Sequence, residues 1–274
     1  MIHEFQSLDF PISFRKGARG AASTVAGAGL DHIRRIVFAH PDRVLIDVFG
    51  QAIATTLPHA QLECVTTGAS LRGSLLARTA DLIVASVDLP GEDEFSVLGA
   101  LRRASDGQRL LFVTNRSDYQ VVQAMRSVGA RGAVDTTVED IECFCRALRC
   151  VARGQSYWSA SLHRVMQGAG PSARALRHLT AKEMYLFAIL GDGCSDDVAA
   201  AMVNLSEQTV HGYRKRLHRK LGIQHKGALV TRAFLYGLVR VTPDGVVRPG
   251  LDLLRSRCLK RRVKPTHSAV AFLA

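Results

Sequence analysis

Residues 205–223 read LSEQTVHGYRKRLHRKLGI, and this run predicts one helix with a cap, an apolar back and a basic front. Ser206 stands at the N-cap, where a hydroxyl accepts a hydrogen bond from an otherwise unpaired backbone N–H. Gly222 follows the last turn, where a left-handed residue closes a helix. At about 100° per residue, Val210, Leu217 and Leu221 share one narrow arc, while Gln208, His211, Lys215 and Arg219 share another. One arc suits a core and the other suits something negatively charged. Just upstream, residues 195–202 (SDDVAAAM) predict a short helix and residues 203–205 a tight connection. Helix, short turn and basic helix make the helix-turn-helix pattern, whose second helix enters the major groove of DNA.

Residues 179–229 resemble the LuxR-type DNA-binding domain of NarL/FixJ response regulators. The likeness is carried by Leu179, Thr180 and Glu183 opening a first helix, and by Ser195, Val198, Ala199 and Met202 in the second. Ser206, Thr209, Val210, Lys220, Leu221, Gly222, Ile223 and Lys226 complete it. Thr180 and Glu183 also form a capping box on their own evidence. Residues 174–190 predict the first helix and residues 226–240 a fourth, apolar at Leu229, Ala233, Tyr236 and Leu238. The resemblance implies that this fourth helix pairs two protomers, so a homodimer on double-stranded DNA is expected; core packing explains the same residues.

The resemblance also implies that His211, Gly212 and Lys215 contact bases. Lys215 and His211 can donate to guanine O6 or N7, and Gln208 can pair with adenine or reach a phosphate. Arg214, Arg216, Arg219 and Lys220 are expected at phosphates, which position a helix without reading sequence. His211 and Gly212 depart from the lysine and β-branched residue common at these positions, so an operator of its own is expected.

Upstream, residues 33–153 alternate short, mostly apolar strands (35–39, 61–66, 81–86, 110–114, 132–135), the second alternating apolar and polar residues and the fifth weak, with helical stretches (43–56, 68–78, 95–103, 118–128, 138–152). Such alternation predicts an α/β, flavodoxin-like, doubly wound parallel sheet, here followed by the all-α helix-turn-helix domain. This half resembles the receiver domain of the same regulators at His40-Pro41, Asp81-Leu82-Ile83, Leu89-Pro90-Gly91, Thr114 and Gly129-Ala130-x-Gly132. The departures carry the functional reading. A receiver that takes phosphate needs an acidic pair for Mg²⁺, an aspartate acceptor, a hydroxyl and a lysine. Phe38 and Ala39 stand at the acidic pair, Ser86 at the phosphoacceptor, and Thr136 at the lysine; only Thr114 matches. Asp88 lies two residues past the acceptor. The reading is therefore a degenerate receiver, with no metal or cofactor expected and no aspartyl phosphate. A regulatory protein or small ligand is the possible partner there.

Charge divides the chain the same way. Residues 1–150 hold 16 Lys/Arg and 17 Asp/Glu; residues 151–274 hold 20 and 7. A strongly basic C-terminal half points to a polyanion partner. No apolar run is long enough to span a bilayer, so no membrane partner and a cytoplasmic location are expected. The six cysteines then default to thiols. Residues 1–32 read as a flexible arm, 154–173 as a linker with Trp158 at the domain junction, and 241–274 as a basic tail. Two further readings compete with the DNA regulator: an adaptor acting through protein contacts, and a redox sensor using Cys143, Cys145 and Cys150. An enzyme is not expected, since no nucleophile–base pair or metal set is present.

Overall fold

The computed structural model describes residues 30, 32–91, 93, 95, 97–99, 109–168, 170–242 and 245–260. The expected N-terminal arm lies outside these residues, apart from Leu30 and His32. Leu30 is buried, and its carbonyl accepts the Ile33 N–H at 3.0 Å, so it belongs to the sheet domain.

Six strands form one sheet: β1 Arg35–Ala39, β2 Gln61–Val65, β3 Leu82–Ser86, β4 Arg109–Thr114, β5 Gly132–Asp135 and β6 Tyr157–Trp158. Their order is β2-β1-β3-β4-β5-β6, and every pairing is parallel. Helices α1 Arg43–Thr56, α2 Gly68–Ala77, α3 Tyr119–Ser127 and α4 Ile141–Ala152 supply the crossovers. Phe95 and residues 97–99 are helical, and the rest of the helix expected over 95–103 lies outside the described residues. Successive strand residues face opposite sides. Val37, Ala39, Ile83 and Ala85 therefore build one core with Phe95 and Phe112. Ile36, Phe38 and Val84 build the other with Phe49 and Phe144. Burial on both faces explains why these strands read as continuous apolar runs.

The segment expected to be a linker is largely part of this domain. Tyr157–Trp158 pairs with β5, and α5 Ala160–Met166 follows with Leu162 fully buried. Ser159 fixes the join, accepting the Asp135 N–H at 2.7 Å. Trp158 packs against the core of the sheet domain, not at the domain junction. A two-residue strand is too short to leave a periodic signal.

The second domain contains α6 Pro171–Arg177, α7 Ala181–Leu190, α8 Asp196–Val203, α9 Glu207–Leu221 and α10 Lys226–Leu235. The helix expected over 174–190 is two helices. Thr180 and Glu183 form their capping box and start α7 afresh. Leu186, Phe187, Leu190, Ala199, Val210, Leu217, Leu229 and Ala233 make one shared core. No helix among the described residues is long and apolar enough to cross a membrane.

The expected basic tail is instead folded as far as residue 260. Strands β7 Arg240–Thr242 and β8 Gly245–Val247 form an antiparallel hairpin, and α11 Leu251–Lys260 follows. The reason is apolar contact: Leu251 and Leu254 pack into the helical core, and Leu253 against the core of the sheet domain. Residues 261–274 lie outside the described residues.

Candidate nucleic-acid interface

The helix-turn-helix geometry is set by three local devices. Asn204 adopts φ 51°, ψ 56°, a left-handed conformation that ends α8. The Ser206 hydroxyl then accepts the Thr209 N–H at 3.2 Å and starts α9. Gly222, at φ 63°, closes α9 by donating its N–H to the His218 carbonyl. Between these caps Val210 and Leu217 are fully buried and Leu221 nearly so. Gln208, His211, Lys215, Arg216 and Arg219 are exposed. Gly212 lies on the same side, and a Cβ built on it would meet nothing within 4 Å. The outward face thus has a gap between basic side chains, where backbone is open to a close approach.

Two residues expected to reach DNA are committed elsewhere. Arg214 donates from Nε to Asp196 at 2.6 Å and from Nη2 to the Cys194 carbonyl at 3.0 Å, bracing α9 against the start of α8. Lys220 donates to Glu183 at 2.7 Å and to the His178 carbonyl at 3.0 Å, bracing α9 against α7. Burial opposes the charge on Asp196, but hydrogen bonds from Arg214 and His211 outweigh it and hold the carboxyl below its usual range. Burial likewise opposes the charge on Glu183, and bonds from Lys220 and Thr180 outweigh it. His211 is the intermediate case: its ring Nδ1 lies 3.0 Å from Asp196, yet the side chain is half exposed. His218 is half-buried near Arg214 and His225, and desolvation first, then the electrostatic effect of these neighbours, pushes its pKa down.

Sequence reasoning missed a basic flank beside the outward face. Arg216 stacks 4.0 Å from the centre of the Tyr213 ring, and Lys182 from α7 lies 5.3 Å from the same ring. Lys182 and Arg255 of α11 both line a cavity of about 360 Å³ against the turn at Met202–Leu205. Among the described residues, no carboxylate pairs with Lys182, Lys215, Arg216, Arg219 or Arg255. The flank had no signal in the helix wheel, because a wheel carries nothing about neighbouring helices.

The C-terminal edge of the parallel sheet gathers the positions singled out in the receiver-like half. Register sets Ala39 beside Ala85, Ser86 beside Val113 and Thr114 beside Asp135. Phe38 and Ala39 are fully buried and apolar, so they offer a divalent cation no side-chain oxygen, and the residues at these two positions do not fit Mg²⁺. Ser86 is buried, and its hydroxyl accepts the Asp88 N–H at 3.1 Å. Thr114 accepts the Arg116 N–H at 2.9 Å, and Thr136 donates to the Thr114 carbonyl at 3.3 Å. Burial opposes charge on Asp135, while Thr137 and Ser161 donate to it and hold its pKa low. Asp88 pairs with Arg240 from the hairpin, and Arg116 stands 3.8 Å away. Asp93 accepts the backbone N–H groups of Gly250 at 3.1 Å and Asp252 at 3.3 Å. Desolvation raises the Asp93 pKa, and these two bonds only partly offset it.

Comparison with known proteins agrees with this geometry. Residues 177–233 match the family described as bacterial regulatory proteins, luxR family. The Fimbriae Z protein of Escherichia coli is 25% identical over 167 residues, spanning 60% of this chain and 79% of that one. The DNA-binding transcriptional activator EvgA of Escherichia coli is 26% identical over 141 residues, spanning 52% and 69%. The fold is also similar to RcsB from Salmonella enterica serovar Typhimurium in a promoter-bound structure. There the TM-score is 0.52 at 15% identity, over 73% of this chain and 97% of that one. Residues 177–233 thus match the luxR family, behind a parallel sheet whose fold is similar to that of a known response regulator.

Proposed function

We propose that the chain is a transcription regulator that binds double-stranded DNA as a homodimer and acts without aspartyl phosphorylation. The observation that carries the DNA reading is the outward face of α9, where Lys215, Arg216 and Arg219 pair with no carboxylate among the described residues. Lys215, His211, Gln208 and the open backbone at Gly212 read bases. Arg216 and Arg219 hold phosphates, with Lys182 and Arg255 on the flank. Arg214 and Lys220 serve this face indirectly, by fixing the pose of α9. A curated relative named as a DNA-binding activator supports the reading. So does a structural neighbour of the same fold solved as two dimers on two DNAs. Dimerisation is assigned to α10, which leaves Leu235 64% exposed at its end. Independence from phosphate rests on Phe38, Ala39 and Ser86 at the positions that would hold Mg²⁺ and accept the phosphoryl group. A DNA partner places the protein in the cytoplasm.

Electrophoretic mobility shifts at fixed salt test the reading, using an operator selected from random duplexes with the full chain. Lys215→Ala is expected to weaken operator binding by roughly 1–3 kcal/mol and to relax one base preference. An equal loss on operator and on random duplex overturns base reading by Lys215. Ser86→Ala is expected to leave reporter output unchanged, and abolished output overturns phosphate independence.

A further inference from the structure

We propose that the C-terminal edge of the parallel sheet is a binding socket for the chain's own strap, residues 240–260, with the Arg240 guanidinium as its ligand. Arg240 donates from Nη1 to Asp88 Oδ1, just beyond the position where a receiver carries its phosphoryl group. Arg116 flanks the same oxygen at 3.8 Å. Farther along the strap, Asp93 accepts the N–H groups of Gly250 and Asp252, so a side chain of the sheet domain caps α11. Arg257 donates to the Ser127 hydroxyl at the end of α3. Leu253 packs with one domain's core and Leu254 with the other's. Gly237 marks how close the domains come: at φ +75° it lies against Asp118, and a Cβ there would collide with the Asp118 side chain.

These contacts span ion pair, cap and apolar packing, and they replace what a receiver does covalently. A phosphorylated edge gains and loses negative charge; here Asp88 is a fixed anion met by a fixed cation. The link presents the DNA module in one orientation. Among the described residues, none of the hydrogen bonds or ion pairs between the domains involves α9, so the recognition face stays clear. The control variable becomes ionic strength and whatever competes for Asp88, not a phosphate donor.

Amide hydrogen exchange on the full chain without DNA tests this, read at Gly250 and Asp252. Arg240→Ala and Asp88→Ala are each expected to speed exchange there roughly tenfold, and the double variant no further, because the two residues act as one pair. Arg240→Lys keeps the charge and is expected to keep most of the protection. Exchange in β4 serves as the control for global unfolding, with Arg240→Lys deciding if the alanine variants unfold. Unchanged exchange in the single variants, additive effects in the double, or a lysine variant as fast as alanine overturns the socket. None of these outcomes bears on DNA binding, so the two readings fail separately.

Discussion

The outward face of α9 and the C-terminal edge of the parallel sheet both collect charge, and they treat it in opposite ways. On α9, Lys215, Arg216 and Arg219 face solvent with no carboxylate against them among the described residues. At the sheet edge, Asp88, Asp93 and Asp135 are each taken by N–H, O–H or guanidinium groups of the chain itself. A cation without an internal partner keeps its attraction for an external polyanion. A paired one has most of its field cancelled at home. The same division runs through α9 itself, where Arg214 and Lys220 brace the helix and Lys215 and Arg219 do not. Charge sign alone therefore does not separate an unpaired residue from a bracing one; the partner does.

Stability measurements sharpen this division most strongly at Lys220. Lys220→Ala leaves Glu183 buried, with only its capping bond to the Thr180 N–H. The expected cost is about 2 kcal/mol in denaturant unfolding, discounted for the part-exposed lysine. Lys215→Ala is expected to change stability by no more than about 0.5 kcal/mol. Similar losses in the two variants would break the distinction. Acid titration gives a smaller effect. Glu183 and Asp196 have lower pKa values folded than unfolded. Their pairs therefore add stability above the ordinary carboxylate range and lose it as pH falls through the depressed folded values. Thermal melts of the wild type are expected to drop over that acid window, and Glu183→Gln to show a shallower drop. Asp93 works in the opposite sense, since its raised pKa favours the protonated form when folded. Its contribution is present below the unfolded value and is lost as pH rises through the folded one. The smallest effect is at Gly212, whose Cβ position is open. Gly212→Ala is expected to stabilise α9 by about 0.5–1 kcal/mol, and any destabilisation would show that the gap is filled.

The sequence made legible whatever rests on local chemistry or long periodicity. Ser206, Gly222 and the Thr180–Glu183 box mark helix ends through bonds within a few residues, and the structure places each cap as read. The parallel sheet followed chiefly from the apolar runs of β1, β3 and β4, because burial on both faces leaves an unmistakable composition. What stayed hidden depends on partners distant in sequence. Arg214 and Lys220 look like further basic residues until α8 and α7 bring Asp196 and Glu183 to them. Residues 241–260 look like part of a basic tail because they lie past the resembled domain and their apolar residues serve two different cores. Neither half of such a segment shows a period of its own.

Asp88 and Arg240 lie 152 positions apart, and Asp93 and Asp252 lie 159 apart. Contacts of that separation carry a loop-closure cost that local helices and neighbouring strands do not. The sheet can form as soon as residues 30–166 are available, whereas the strap must wait for both domains. Docking is thus expected to be the last unit to assemble and the first to open below global unfolding. Pulse-labelled exchange during refolding should protect β3 and β4 before Gly250 and Asp252. Simultaneous protection would instead make the two domains one cooperative unit from the start.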